Sequence, residues 1–226
     1  MDDVWDALVE AYAAWWIDLL GEHNHVGGLE TTRWLSQRSG LKPGDLALDA
    51  GSFVGGTARF IVYEGARAVA LDLGRDFLRA GSKLEHGGRV AWVEGMAQKL
   101  PFPAETFRAV FCLDSYMAPA EFARVTAWDG TICLCCEVPV DSRGGVEAFI
   151  EEWAEHGCEL AAHKQLSLEA TQQWRTAEAE LVRRRPHFQA RYGERAYIAQ
   201  LDIVSDLVRV YERGEMGHGL FVFRKA

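Results

Sequence analysis

The chain has 226 residues, 49% of them hydrophobic and 25% charged, with a formal net charge of −9, which is the make-up of a globular protein with one sizeable core. Because a phosphate backbone is held by a basic surface, the acidic balance argues against nucleic acid as a partner. No stretch approaches the roughly 20 apolar residues that span a bilayer and the N-terminus lacks the basic start of a secretion signal, so we expect a cytoplasmic protein without membrane contact.

The first half of the chain predicts two helices and then an α/β core. Apolar residues recur at intervals of three and four between positions 3 and 20, and a second helix is predicted over Leu29–Ser39. Strands are predicted near 46–50, 67–72, 89–94, 108–114 and 130–137, and helices near 56–64, 75–84, 119–127 and 145–156. Strands that alternate with helices imply right-handed crossovers and a mostly parallel sheet.

The last third of the chain departs from this alternation. A sixth strand over 159–166 precedes two helices, 168–185 and 194–213, with Pro186 between them, and then a last strand over 217–224. We expect the last strand to insert into the sheet and the helices before it to cover the carboxyl edge. The predicted fold class is therefore α/β: a doubly wound, mostly parallel, seven-stranded sheet with N-terminal helices and a helical insert before the last strand.

One domain, 1–226, accommodates these elements. Its expected parts are an N-terminal helical lid (1–44), a ligand-binding core (45–166), a helical cap (167–215) and a terminal strand (216–226). The five cysteines lie in or beside apolar runs and lack paired CxxC spacing, which favours buried, reduced thiols over disulfides or a zinc site. The sequence leaves open whether the chain forms a homodimer.

A glycine-rich turn follows the first predicted strand, in the segment Leu46–Phe60, LALDAGSFVGGTARF. Asp72 ends the second predicted strand, where a carboxylate can accept hydrogen bonds from both hydroxyls of a ribose. A strand, a glycine turn, a helix, a second strand and an acid, in this order, form a nucleotide pocket at the carboxyl edge of a sheet. The sequence thus predicts an adenosine-containing ligand.

Four segments together resemble a class I S-adenosylmethionine-dependent methyltransferase: LALDAGSFVGG, ALDL with Asp72, QKLPFPAETFRAVFCLDSYM and YERGEMGHGLFVFRK. The HVGG turn after an aromatic helix and the insert before the last strand resemble the small-molecule branch that contains sarcosine and dimethylglycine N-methyltransferases. The resemblance implies S-adenosylmethionine as cofactor. The residues it implies for cofactor binding are Asp49, Gly51, Phe53, Asp72, Leu73, Met96, Ala97 and Asp114.

Three departures from the family pattern support an alternative. Phe53 stands where the family turn usually has glycine, and Met96 stands where an acid commonly faces the adenine amino group. The segment Asp114–Ala118 also lacks a histidine that small-molecule relatives often carry. The alternative is a methyltransferase-like protein without methyl transfer, serving as a partner subunit or catalysing another reaction. A nicotinamide-dependent oxidoreductase ranks third, because a tyrosine followed four residues later by lysine is missing.

Candidate catalytic and substrate residues come from the segments that the fold should bring to the carboxyl edge. Catalytic candidates are His25, Tyr116 and His218, since a histidine can remove a proton near neutral pH. For His23 we favour a hydrated loop, and a metal site built on the two N-terminal histidines with Glu22 or Glu30 ranks below a metal-free pocket. Substrate-binding candidates are Tyr12, Trp16 and Glu137. An aromatic wall can hold a cationic amine, so a small-molecule substrate, an amine in particular, is the expected acceptor.

Overall fold

The computed structural model describes residues 12–85, 87–140 and 145–226 of the chain, and these build one seven-stranded sheet. The strands are β1 Leu46–Ala50, β2 Arg67–Asp72, β3 Val90–Glu94, β4 Phe107–Leu113, β5 Thr126–Pro139, β6 Cys158–Gln165 and β7 Met216–Lys225. Their order in the sheet is β3-β2-β1-β4-β5-β7-β6. Strands β1 to β5 pair in parallel, and β7 is antiparallel to both of its neighbours. The doubly wound fold and the inserted last strand are thus confirmed.

Helices cover both faces and the carboxyl edge of this sheet. They are α1 (residues 12–20), α2 Gly28–Arg38, α3 Gly56–Tyr63, α4 Arg75–Leu84, α5 Pro119–Val125, α6 Gly145–Ala154, α7 Ser167–Arg183, α8 Arg185–Tyr192 and α9 Glu194–Glu212. Residues 3–11 of the predicted first helix lie outside the described residues. Helix α8 corrects the sequence prediction: Pro186 was taken only as a break, but proline in a first helical turn loses no hydrogen bond, so it also begins a helix.

The two faces of the sheet carry separate apolar cores, and a third apolar cluster lies under the cap. In this third cluster Trp15 of α1 packs on Phe188 with ring centroids 4.5 Å apart, and Leu181 and Val204 close it from α7 and α9. Trp15 is therefore a core residue. All five cysteines are free and buried, as predicted. The division into lid, core, cap and terminal strand stays a prediction.

The order of strands reverses direction between β1 and β4, which are neighbours in the sheet. In open α/β sheets, ligands bind outside the carboxyl ends of the strands at such a switch point. The chain places the glycine turn after β1 and Asp114 after β4 there. Within the described ranges, no helix is both long and apolar enough to traverse a bilayer.

Candidate functional site

The turn after β1 requires glycine at its first position. Gly51 has φ 74°, and a Cβ atom there would clash with the side chain of Ser115. The backbone N–H groups of Gly51 and Ser52 both donate to the carbonyl of Leu71, at 2.8 and 2.9 Å. These bonds hold the turn against β2. Because Ser115 lies directly beside Gly51, the loops after β1 and β4 are in contact.

Phe53 takes the left-handed backbone conformation that explains why glycine is usual at its position. Its φ is 51°, and its N–H donates to Oδ2 of Asp72 at 2.8 Å. The ring stands edge-on to Phe77 of α4, with centroids 5.0 Å apart. It also packs on the third apolar cluster under the cap, as Leu19 and Leu20 do. The strain expected from a side chain at this position is present, and the ring is held by Phe77 of α4 and by the apolar cluster under the cap.

Asp72 is half-buried at the end of β2, where it pairs in register with Glu94 of β3. Its Oδ1 accepts the N–H of Gly74 at 2.8 Å, so each carboxylate oxygen has one backbone donor and retains a free lone pair. Burial raises the pKa of Asp72 despite these bonds. Leu73 and Met96 are 65% and 51% exposed, and Ala97 lies half-buried next to them. The edge thus offers a hydrogen-bond acceptor and two uncovered apolar side chains, which suit a ribose and a flat base.

Asp49 is a buried acid at the centre of the same edge. Its Oδ2 accepts the N–H of Ala58 at 3.0 Å, and burial raises its pKa to about 7. The nearby hydroxyl of Ser52 is buried with no hydrogen-bond partner among the described residues. The charge of Arg59 acts to lower the pKa of Asp49, but burial outweighs it, so a positively charged ligand beside this carboxyl would further stabilise its ionised form. The residues present therefore fit a nucleoside with a cationic tail, which is the chemistry of S-adenosylmethionine.

A cleft of about 470 Å³ opens beside this edge, beneath the cap. It is lined by Tyr12, Trp16, Asn24, Asp114, Ser115, Met117, Cys136, Glu137, Trp174, Leu207, Tyr211 and His218. Asp114 is placed by a strained backbone, with φ 48°, and its N–H donates to the carbonyl of Cys135 at 2.7 Å. Its Oδ2 accepts the N–H of Val26 at 2.8 Å. The acid therefore ties the N-terminal segment to the sheet and stands at the floor of the cleft.

Four side chains form a continuous hydrogen-bonded chain along the cleft. Nε2 of His218 lies 3.0 Å from Oδ1 of Asp114, and Nδ1 of His218 lies 2.8 Å from the hydroxyl of Tyr211. That hydroxyl also lies 3.3 Å from Oε1 of Glu137. Since a carboxylate only accepts, the proton on Nε2 of His218 points to Asp114.

The chain has two hydrogen-bonded arrangements that differ by one proton. When His218 is neutral, the Tyr211 hydroxyl donates to its Nδ1. When His218 is protonated, Nδ1 donates to the hydroxyl, which then donates to Glu137. Burial, together with the nearby charges of Glu137 and Asp114, raises the pKa of Tyr211 well above its ordinary value, so the hydroxyl keeps its proton. The arrangement can accept a proton from the cleft and stabilise it between two acids.

Five of the predicted site residues line the cleft together: Tyr12, Trp16, Asp114, Glu137 and His218. Sequence reasoning missed Tyr211 and Trp174. Both residues lie on the buried faces of amphipathic helices, where an aromatic residue is usually core, so no local signal distinguishes them.

Two predicted catalytic residues lie elsewhere. His25 is buried, its Nε2 donates to the carbonyl of Gly28 at 2.9 Å, and burial lowers its pKa to about 4, so it is a neutral ring that holds the turn before α2. Tyr116 is 61% exposed and does not line the cleft, although Ser115 and Met117 on either side of it do. A catalytic role for either residue stays a prediction that this geometry does not support.

Within the described chain, one group of donors has metal-binding proximity. Ligand atoms of Asp114, Cys135 and His218 lie within 4.8 Å of one another. Burial raises the pKa of Cys135 well above its ordinary value, so a metal would have to displace a firmly held thiol proton. His218 and Asp114 already satisfy each other, and we therefore interpret the group as a hydrogen-bonding cluster. A metal-free pocket stays a prediction.

Part of the core is similar to known methyltransferases. Residues 47–129 match the family model described as a methyltransferase domain. Over 87 residues the chain is 37% identical to sterol 24-C-methyltransferase ERG6B of Gibberella zeae, an alignment that covers 36% of this chain and 23% of that protein. The matched part therefore spans about a quarter of the length of the curated relatives.

Two solved structures extend the similarity to nearly the whole chain. A putative sarcosine dimethylglycine methyltransferase from Galdieria sulphuraria superposes with a TM-score of 0.86 at 15% identity, covering 96% of this chain and 98% of that one. A phosphoethanolamine N-methyltransferase 2 from Haemonchus contortus, in complex with S-adenosyl-L-methionine, superposes with a TM-score of 0.82 at 17% identity, covering 96% and 57%. Residues 47–129 are therefore similar to a methyltransferase domain, and nearly the whole chain has the same fold as these two methyltransferase structures.

Proposed function

We propose that the protein transfers a methyl group from S-adenosylmethionine to a small-molecule amine bound in the cleft beside His218. The observation that carries this proposal is the position of Ser115, which lies against Gly51 of the glycine turn and also lines the cleft. The two sites therefore share a wall. Methyl transfer is an in-line displacement, so it needs a donor site and an acceptor site that meet in this way.

The residues at the carboxyl edge divide the work of holding the cofactor. Asp72 would accept the ribose hydroxyls, while Leu73 and Met96 would cover the adenine. Asp49 would face the positively charged end of the cofactor. Because Gly51 has no side chain, the backbone of its turn would be able to lie close to that end. When bound, S-adenosylmethionine supplies a methyl group that is already activated on a sulfonium sulfur.

The cleft residues have to position the acceptor and remove one proton. An acceptor that arrives as an ammonium ion would first give up one proton, because only the free nitrogen has a lone pair to take up the methyl group. The methylated product would then leave as an ammonium ion, so one proton is removed in each turnover. Glu137 lines the cleft and the Tyr211 hydroxyl joins it to Nδ1 of His218, so the proton can pass along this route.

The positions of Phe53 and Met96 favour a working cofactor site over the alternative without methyl transfer. The Phe53 ring is occupied by its contacts with Phe77 and the cap, and its backbone N–H orients Asp72. Met96 is exposed at the edge, where a thioether can pack on a flat ring. The match of residues 47–129 to a methyltransferase domain also favours methyl transfer over hydride transfer to a nicotinamide.

Calorimetry with S-adenosylhomocysteine tests the cofactor site. We expect the wild-type protein to bind it and Asp72→Asn to weaken binding at least tenfold, because the substitution replaces an acceptor by a donor toward the ribose. Asp202→Asn, an exposed acid of α9, is the matched control and should bind as the wild type does. Incubation with S-adenosylmethionine and an amine should then yield S-adenosylhomocysteine and methylated amine.

Phe53→Gly distinguishes the proposal from its alternative. Glycine relieves the left-handed backbone by about 1 kcal/mol but loses the contacts of a half-buried ring, so we expect unfolding to need roughly 1–2 kcal/mol less free energy. Affinity for S-adenosylhomocysteine should change by less than about threefold, since the ring is held by Phe77 of α4 and by the apolar cluster under the cap. A wild-type protein that fails to bind, combined with a glycine variant that binds, would overturn the proposed function.

A further inference from the structure

Among the described residues that line the cleft, the acidic side chains have no lysine or arginine beside them. Asp114 and Glu137 both line it, and no lysine or arginine of the described chain does. The cationic side chain that follows a lining residue in sequence, Arg175 after Trp174, is instead paired with Glu212 at 2.5 Å. An acidic group on a ligand would therefore meet two carboxylates, and no lysine or arginine in the described part of the chain would offset them there.

The walls of the cleft are aromatic. Tyr12 and Trp16 meet edge to face with centroids 6.0 Å apart, and Trp16 meets Trp174 in the same way at 6.3 Å. Tyr211 closes the side nearest the acids. Several ring faces and edges around a negatively charged floor form the arrangement that attracts an organic cation.

Two indole N–H groups supply an independent observation. Nε1 of Trp16 and Nε1 of Trp174 are buried, and in the described part of the chain neither finds an acceptor. Both residues line the cleft. A buried donor without a partner is costly, so an oxygen or nitrogen acceptor on a ligand would satisfy what the protein leaves open, and the two carboxylates of the cleft favour a neutral acceptor over an acidic one.

Resting on the proposed methyl transfer, we infer that the acceptor is an amine on an apolar or aromatic skeleton that carries no carboxylate, phosphate or other acidic group. The amine enters as its ammonium ion between Asp114 and Glu137, and its skeleton lies against the aromatic walls. This excludes amino acids and phosphorylated amines as preferred acceptors. It separates the chain from fold neighbours whose names specify sarcosine, dimethylglycine or phosphoethanolamine.

A matched pair of probes tests the inference. Phenethylamine and phenylalanine differ by one carboxylate, and their binding to the full-length protein is measured by calorimetry with and without S-adenosylhomocysteine. We expect phenethylamine to bind at least tenfold more tightly than phenylalanine, and 3-phenylpropionate to bind no better than phenylalanine. Equal or tighter binding of either acid would overturn the inference, as would the failure of phenethylamine to bind.

Substitutions assign the discrimination to the cleft. Glu137→Gln should weaken the binding of phenethylamine at least fivefold and reduce the discrimination against phenylalanine. Glu152→Gln changes an exposed acid of α6 and should alter neither quantity. Tyr12→Leu removes a half-exposed ring from the wall and should weaken phenethylamine about threefold without affecting 3-phenylpropionate. Discrimination that survives both cleft variants would also overturn the inference.

The two proposals fail in different ways. If S-adenosylhomocysteine does not bind while phenethylamine is still preferred over phenylalanine, the proposed methyl transfer is lost but the cation-selective cleft remains. If S-adenosylhomocysteine binds and the acids bind as well as the amine, methyl transfer stands and the inferred acceptor class is wrong.

Discussion

Nε2 of His218 lies 3.0 Å from Oδ1 of Asp114, which joins the last strand of the sheet to the loop after β4. Only β5 lies between β4 and β7 in the sheet, and the antiparallel β7 begins at the edge where β4 ends. The end of β4 and the start of β7 therefore face the same cleft. Asp114 reaches this position through a left-handed backbone, at φ 48°. Strain of this kind persists where the surrounding contacts overdetermine it, and it is concentrated at functional sites.

Replacing Asp114 by asparagine should lower kcat for methyl transfer about 100-fold, within the range for loss of a proton-transfer group. The amide can face His218 or the N–H of Val26 with its oxygen, but not both, so one of the two bonds is lost. Steady-state rates at saturating substrate measure the effect. Asp129→Asn is the matched control, since Asp129 also has a positive φ, 57°, but lies outside the cleft. A rate within twofold of the wild type for the Asp114 variant would remove the acid from the mechanism.

Tyr211→Phe should slow methyl transfer about tenfold and shift the pH–rate profile, because the link between His218 and Glu137 is broken. The lost hydrogen bond should also reduce the free energy of unfolding by about 1–2 kcal/mol. Tyr197→Phe provides the control: its buried hydroxyl donates to the carbonyl of Leu181 at 3.3 Å, away from the cleft. That variant should lose similar stability with an unchanged profile, and an identical profile for both variants would show that Tyr211 is only structural.

Asp49 should make the free protein less stable as the pH rises. Burial raises its folded pKa to about 7 from 3.8, so the folded state binds more protons than the unfolded state between those values. The contribution of Asp49 to the free energy of unfolding is therefore greatest below about pH 4, and it falls by up to roughly 4 kcal/mol toward pH 7. Asp49→Asn, which can still accept the N–H of Ala58, should flatten this dependence in denaturant titrations between pH 4 and 8.

The same carboxyl should release a proton when the cationic cofactor binds, since a nearby positive charge favours its ionised form. Calorimetry at pH 6 in two buffers of different ionisation enthalpy measures the release. No difference between wild type and Asp49→Asn would separate Asp49 from the cofactor.

Asp18 should stabilise the contact between α1 and the cap. Burial acts to raise its pKa, but hydrogen bonds from His187 and Arg184, at 2.7 and 2.6 Å, outweigh it and lower the pKa to about 2. A depressed folded pKa gives stability above the unfolded value that is lost as the pH falls from about 4 to 2, here about 2 kcal/mol. Asp18→Asn should lose this amount at pH 7 and little at pH 2. Asp206→Asn is the control, because Asp206 is an exposed acid paired with Arg209. This variant should lose less than about 0.5 kcal/mol of stability at either pH.

The sequence by itself determined the sheet, its parallel core and the glycine turn, because these depend on local periodicity and on one residue type. Leu46–Ala50 is apolar apart from Asp49 and is buried along nearly its whole length, and Gly51 follows it with a backbone angle that other residues rarely adopt. Asp49 and Asp72 could be placed at the carboxyl edge because parallel strands all end there.

The tertiary structure decided which side chains meet in the cleft. Tyr211 and Trp174 have the spacing of core residues on amphipathic helices, and only the packing of α9 and α7 on the carboxyl edge turns them toward His218 and Glu137. His25 was an equally good candidate in sequence, but a bond to the carbonyl of Gly28 commits it to a turn. Local patterns record burial, whereas a proton path depends on distances of about 3 Å between segments far apart in the chain, which only the folded packing determines.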